Sequence, residues 1–404
     1  MTQHLLCRLL LLVWVCVPHV AKLNAQTPGE AQSVADSYNY LLGTQAIGGK
    51  YQFTEQDPLV EAAKEIRAMG ATTMKFDLRP KPTQYPHIHS LVELVSQEPA
   101  HREVLDMPFA YYQMWAESFA GTSWKKGFSN KDAEAEYREI YDQTAYLLKT
   151  YTGSGKTFYL GHWEGDNLLR GDISEKADAM MTPEKVQGMI SWLNTRQRAV
   201  DDAKRETKHE KVQVWHYTEI NHPTISLKKD RPSLVNQVLP FVPVDFVSYS
   251  AYDVTNEPKA ENIKTVLDYI ESKLTPKPEI TGKRVFIGEY GYTVSHNGMP
   301  HRTPQEQNDL SLITIQAAVE WGCPFILYWE LYNNEVEAGG QHRGYWMIDD
   351  KGVKQPIHET HRRYYAWARE FVSEAYRRTG QAPSEKDFRQ AVADYFKAAA
   401  PKKP

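Results

Sequence analysis

The chain has 404 residues, with 47 Lys and Arg against 51 Asp and Glu, for a formal net charge of −4. That mild acidity argues against nucleic-acid binding. Apart from an N-terminal apolar run, no segment approaches the length that crosses a membrane.

Arg8 precedes the apolar run Leu9 to Val17, and Leu23-Asn24-Ala25 ends in a small residue. This is the pattern of a secretory leader, with cleavage expected after Ala25. Residues 1–25 read as leader, 26–378 as the folded body, and 379–404 as a C-terminal helix and tail. The expected location is secreted or periplasmic, with no membrane span once the leader is removed. Cys16 lacks the small preceding residues that a lipid-anchor site prefers. Cys7 and Cys16 leave with the leader, so Cys323 alone remains. Export without disulfides demands a large core. Cys323 lies just before an apolar run and reads as a small buried hydrophobe.

Eight short runs rich in Val, Ile, Phe and Tyr follow, each bounded by polar or Gly/Pro segments. They cover 40–47, 72–78, 109–115, 157–163, 212–218, 244–251, 284–288 and 324–331. Amphipathic stretches separate them. Residues 58–69 place Leu59, Ala62, Ile66 and Met69 on one face, and 132–150 do the same with Tyr137, Ile140, Tyr141 and Leu148. Thr182-Pro183-Glu184 and Thr303-Pro304-Gln305-Glu306 each open a helix with a hydroxyl cap, a proline in the first turn and an acidic residue. Residues 357–377 read as a closing helix, and 386–399 as an additional one before a disordered Pro/Lys tail. Alternating strands and helices predict parallel strands with helical crossovers. The eightfold count predicts an α/β fold, a single (β/α)8 TIM barrel with an extra C-terminal helix. No Gly-x-Gly-x-x-Gly follows the first run, which argues against a dinucleotide site. Segments 333–344 and 84–105 are long enough to wall an active site.

Such barrels carry their catalytic groups at the C-terminal ends of the strands. The seventh run leads into Ile287-Gly288-Glu289-Tyr290-Gly291-Tyr292, and the fourth into Leu160-Gly161-His162-Trp163-Glu164-Gly165-Asp166-Asn167. Each delivers a glutamate to a strand end, where a carboxylate costs free energy unless it is paired or used. Two carboxyl groups about 5 Å apart suit retaining glycoside hydrolysis, in which one attacks the anomeric carbon and the other donates and then removes a proton. Glu219 ends the fifth run, in Trp215-His216-Tyr217-Thr218-Glu219-Ile220-Asn221-His222. It is the rival acid/base, or else a substrate-binding or ion-paired cleft residue. With 24 Tyr and 10 Trp, the chain has aromatic faces to spare for sugar rings. Trp163 and Trp329 sit beside the carboxylates, and Trp115, Trp124, Trp215 and Trp346 are further candidates.

This layout resembles glycoside hydrolase clan A, the retaining TIM-barrel glycosidases of the cellulase-like superfamily. The resemblance implies that Glu164 is the acid/base and Glu289 the nucleophile. It implies Trp329 as the floor of the cleaved sugar's subsite. It also implies Tyr252, or Tyr249, contacting the nucleophile, and Lys75 or Arg79 approaching it. In that clan an Asn before the acid/base binds the sugar's 2-hydroxyl; here the position holds Trp163, with His162 before it. An indole has a single donor and no acceptor. His162, Asn167 or Asn221 is therefore expected to take the contact, with Glu219 also binding hydroxyls. The partner implied is a carbohydrate, and no metal or organic cofactor is required. Two other readings stay open, a non-catalytic carbohydrate-binding barrel and a transglycosylase.

Several signals compete. Asn256-Glu257-Pro258 looks like the clan's strand-four tripeptide but follows the sixth run. His87-Ile88-His89 lies in the loop after the second run and reads as a surface pair, not a metal site. Gly153-Ser154-Gly155-Lys156-Thr157 precedes a strand, so it reads as a turn and not a phosphate loop. No Gly-x-Ser-x-Gly elbow is present.

Overall fold

A computed structural model of the chain describes residues 28–295 and 301–399. The expected leader and the Pro/Lys tail lie outside the described residues. Eight parallel strands close into a barrel in sequence order: β1 (Leu42–Ala46), β2 (Thr73–Leu78), β3 (Tyr111–Ala116), β4 (Thr157–Gly161), β5 (Gln213–Ile220), β6 (Phe246–Ser250), β7 (Val285–Tyr290) and β8 (Ile326–Tyr328). The ring closes where Thr44 pairs with Tyr328. All eight expected runs are strands, with shifted ends. Two shifts bear on the site. β4 stops at Gly161, so His162 and Trp163 lie beyond it. β5 continues to Ile220, so Glu219 lies inside the barrel wall.

Helix signals in the sequence hold locally. The helix Pro58–Met69 starts where the Asp57 side chain accepts from the Leu59 N–H at 2.9 Å, and Gly70 at φ 109° ends it. Thr303 and Glu306 form a reciprocal capping box before Pro304–Trp321. The wall segment 84–105 is not an open loop, because it folds into helices Leu91–Gln97 and Pro99–Asp106. The added helix Glu385–Ala399 buries Phe388, Val392 and Phe396.

Strand alternation splits the core in two. Outward residues such as Met74, Phe76, Phe158, Leu160, Val285 and Ile287 pack under the helices. Inward residues Trp115, Tyr159, Tyr217, Phe246, Phe286, Phe325 and Leu327 fill the barrel. Each large apolar side chain buried this way contributes ~1.5–3 kcal/mol. Cys323 is buried, and burial pushes its thiol up to about 12, in keeping with a packing role. Among the described residues no helix is long and apolar enough to cross a membrane.

β7 breaks the alternation. Ile287 and Tyr290 both belong to the outer core although they are three residues apart. The register against β6 shifts at Tyr249/Ser250, and that against β8 shifts between Ile287 and Tyr290. The extra residue of this bulge lets both Gly288 and Glu289 face the barrel interior, a common way to re-aim a side chain.

Candidate active site

Lys75 on β2 is the centre of charge at the barrel mouth. Its ammonium is fully buried, 2.8 Å from Glu219 Oε2 on β5 and 2.9 Å from Glu289 Oε1 on β7. It also donates to the Gly288 carbonyl at 3.3 Å and sits 4.4 Å from the centroid of the Trp115 ring. Burial alone would strip the proton from such an amine. The charges and hydrogen bonds of Glu219 and Glu289 outweigh that and hold Lys75 protonated. Arg79, the other basic candidate, pairs instead with Asp77 at 2.5 Å.

Glu289 is placed by its glycine neighbour. A Cβ on Gly288 would stand 1.8 Å from Ser248 Oγ, so only glycine lets β6 and β7 meet at this level. Glu289 Oε2 accepts from the Tyr252 hydroxyl at 3.3 Å. Tyr249 is not the contacting tyrosine; its hydroxyl goes to Asp253.

Glu164 follows β4 and heads the short helix Gly165–Arg170. It is partly exposed, while Glu219 and Glu289 are buried. Its backbone N–H donates to Glu219 Oε1 at 3.1 Å, and its Oε2 accepts from Asn167 Nδ2. Burial, then the charges of Glu289 and Glu219, push its carboxyl up to about 9. Burial also pushes Glu289 up, with Lys75 opposing. Glu289 receives an ammonium and a phenol, whereas Glu164 receives only an amide. Of the two, Glu164 therefore holds its proton the more tightly, and Glu289 is the first to ionise.

The other expected site residues divide. Glu219 is fully buried, and both of its oxygens accept from protein donors. His162 is also turned away: Nδ1 donates to the Trp163 carbonyl at 3.0 Å, Nε2 accepts from Thr218 at 2.7 Å, and burial lowers its pKa to about 4. Asn221 clamps Asp166, accepting from its N–H at 3.2 Å and donating its own N–H back at 3.1 Å. Of the three candidates for the 2-hydroxyl contact, only Asn167 touches a proposed catalytic carboxyl. Trp163 is 39% exposed, on the rim of a cavity of about 300 Å³ with Trp124, Trp192, Glu117 and Thr122. Trp329 stands 6.1 Å from Trp115, ring to ring, and its Nε1 donates to Glu335 Oε1 at 3.3 Å.

Trp215 lies away from the mouth, its ring capped by Lys204, and Trp346 packs against His342. Asn256-Glu257-Pro258 is a turn, and His87 and His89 are exposed. Among the described residues no His/Cys/Asp/Glu group is arranged to hold a metal. Sequence reasoning missed Ser248, whose hydroxyl donates to Glu219 at 2.8 Å, and Tyr345, whose ring lies 6.0 Å from that of Tyr252. Strand alternation in the sixth run could have found Ser248; nothing local marks Tyr345.

No protein-family model and no curated protein matches the sequence. Solved structures do match in fold. A GH5_18 from Bifidobacterium longum subsp. infantis aligns with a TM-score of 0.53 at 13% identity, over 81% of this chain and 78% of that one. A GH5_18 from Streptomyces cattleya, in complex with Manb1-4GlcNAc, aligns at 0.54 and 12%, over 90% and 97%. An exo-beta-1,4-mannosidase from Opitutaceae bacterium strain TAV5 aligns at 0.52 and 12%, over 81% and 59%. At these identities the likeness is one of fold: the chain shares the eight-stranded barrel of glycoside hydrolases, the architecture that the resemblance implied.

Proposed function

We propose that the chain is a retaining glycosidase. The observation that carries this is the unequal treatment of two carboxyls at one barrel mouth. Glu289 is held by Lys75 and Tyr252, whereas Glu164 is partly exposed and kept protonated by burial and negative neighbours. In the first step Glu289 attacks the anomeric carbon, the bond to the leaving oxygen breaks, and the Glu164 proton passes to that oxygen. In the second, the Glu164 carboxylate takes a proton from water, whose oxygen attacks the same carbon and releases Glu289. Trp329 supplies an aromatic wall for the sugar. A sugar acceptor in place of water would make the same site a transglycosylase.

The names of two matched structures make β-mannosides, Manβ1-4GlcNAc included, the first substrates to try, beside a panel of 4-nitrophenyl glycosides. Glu164→Ala and Glu289→Ala should each cut turnover by about a thousandfold or more while leaving the circular dichroism spectrum unchanged. The anomer first formed, read by proton NMR, should retain the substrate's configuration. Trp163 in the place of the clan's Asn favours the second reading, a barrel that binds sugars without cleaving them. Under that reading calorimetry would register glycan binding, and no substrate would turn over.

A further inference from the structure

We propose that Glu219 is a positioning residue that yokes the acid/base to the nucleophile, fixing the main chain of Glu164 with one oxygen and the ammonium that serves Glu289 with the other. The inference rests on the two-glutamate reading above. Oε1 accepts from the Glu164 N–H at 3.1 Å. Oε2 accepts from Lys75 Nζ at 2.8 Å, Ser248 Oγ at 2.8 Å and Trp115 Nε1 at 3.2 Å. These donors come from the turn after β4 and from β2, β6 and β3. Three of the four donors crowd onto Oε2, and the side chain is fully buried. Buried among protein donors, Glu219 acts through what it holds. The fit is close on its main-chain side as well, where a Cβ on Gly165 would stand 2.8 Å from the Glu219 carbonyl oxygen.

The same geometry makes Glu219 an electrostatic partner of both catalytic groups. Lys75 divides one positive charge between Glu219 and Glu289, and Glu164 stands on the other side of Glu219. The remaining titratable neighbours are His162, neutral beside β4, and Tyr217 on the same strand. Three carboxyls face one ammonium. The negative charge of Glu219 raises both catalytic carboxyls, which favours the proton on Glu164 and limits how far Lys75 stabilises Glu289.

Two variants test the yoke, each checked by circular dichroism. Glu219→Gln keeps the shape and removes the charge. The carboxyl titrations of Glu164 and Glu289, followed by 13C NMR of glutamate-labelled protein without substrate, should both move down by about one unit or more. On any glycoside the wild type cleaves, both limbs of the kcat/KM pH profile should move the same way. Glu219→Asp keeps the charge but shortens the reach. It should lower kcat about tenfold or more at similar KM, with the limbs held near their wild-type positions. A folded Glu219→Gln protein whose titrations stay at wild-type values overturns the proposal, as does Glu219→Asp with wild-type kcat. If no glycoside is cleaved while the titrations still fall, the glycosidase reading fails and the yoke stands.

Discussion

At the scale of single residues, the site is governed by a shortage of positive charge. Lys75 is the ammonium that offsets two buried carboxylates. Lys75→Met would leave those carboxylates facing each other without a counter-ion, a change that typically costs ~3–5 kcal/mol. The expected result is a clearly lower urea midpoint and no turnover at neutral pH, because Glu289 then protonates. Adding Glu219→Gln and Glu289→Gln to Lys75→Met should restore much of the stability and none of the activity. Recovery of activity would remove Glu289 from the mechanism. Glu164 makes the opposite case. Its carboxyl is pushed from an ordinary 4.5 up to about 9, so the fold favours its protonated form. That contribution is fully present below pH 4.5 and is lost as the pH rises towards 9, because the unfolded chain ionises first. Glu164→Gln keeps a neutral side chain at every pH. It should be more stable than wild type by ~1–3 kcal/mol near pH 8 and equal to it near pH 4. Thermal melts across that range would read this directly, and a pH-independent difference would contradict the raised carboxyl.

Strands carry the next level of the argument, and β7 is the decisive one. Gly288 is needed because the Ser248 hydroxyl occupies the space of its missing Cβ, 1.8 Å away. Gly288→Ala should push Ser248 off Glu219 and displace Glu289. Overpacking of this kind costs ~1–3 kcal/mol, and kcat should fall at least as sharply as stability. Ser248→Gly in the same chain should recover the melting temperature, whereas no recovery would mean that another contact is the obstacle. The bulge beside Gly288 also shows where sequence reading ran out. The eight runs were legible because strands covered on both faces are short and continuously apolar. A strict period of two, however, would send Gly288 and Glu289 to opposite faces, and only pairing with β6 and β8 reveals the irregularity. β5 was misread in a related way. Its run seemed to end at Thr218 because Glu219 is charged, yet the strand extends to Ile220, and Glu219 is paired inside the wall. A carboxylate at a strand end looks the same in sequence whether it faces a cleft or a buried lysine. His162 and Asn221 fall under the same limit. Their partners, Thr218 and Asp166, sit on or beyond a neighbouring strand.

Across the whole molecule, the proposed site and the C-terminal helix occupy opposite ends of the barrel. Glu164, Glu219 and Glu289 gather at the C-terminal ends of the strands, as barrel enzymes place their chemistry. The helix Glu385–Ala399 works at the other end, where Arg389 donates to the carbonyl of Cys323, just ahead of β8. Phe388 packs on Tyr38 with ring centroids 4.9 Å apart, and Phe396 on Tyr364 at 4.9 Å. Together Phe388, Val392 and Phe396 bury surface worth up to about 5–9 kcal/mol. That is a large share of the ~5–15 kcal/mol that holds a typical domain together. Removing residues 384–404 should therefore lower the melting temperature by about 10 °C or more and uncover Tyr38, Tyr364 and Trp367 to a hydrophobic dye. Because the helix is remote from the mouth, kcat/KM measured well below the new melting temperature should stay within about twofold of wild type. A truncated protein that melts with the full-length chain would show the helix to be an appendage. One that keeps its stability and loses activity would show that the two ends of the barrel communicate.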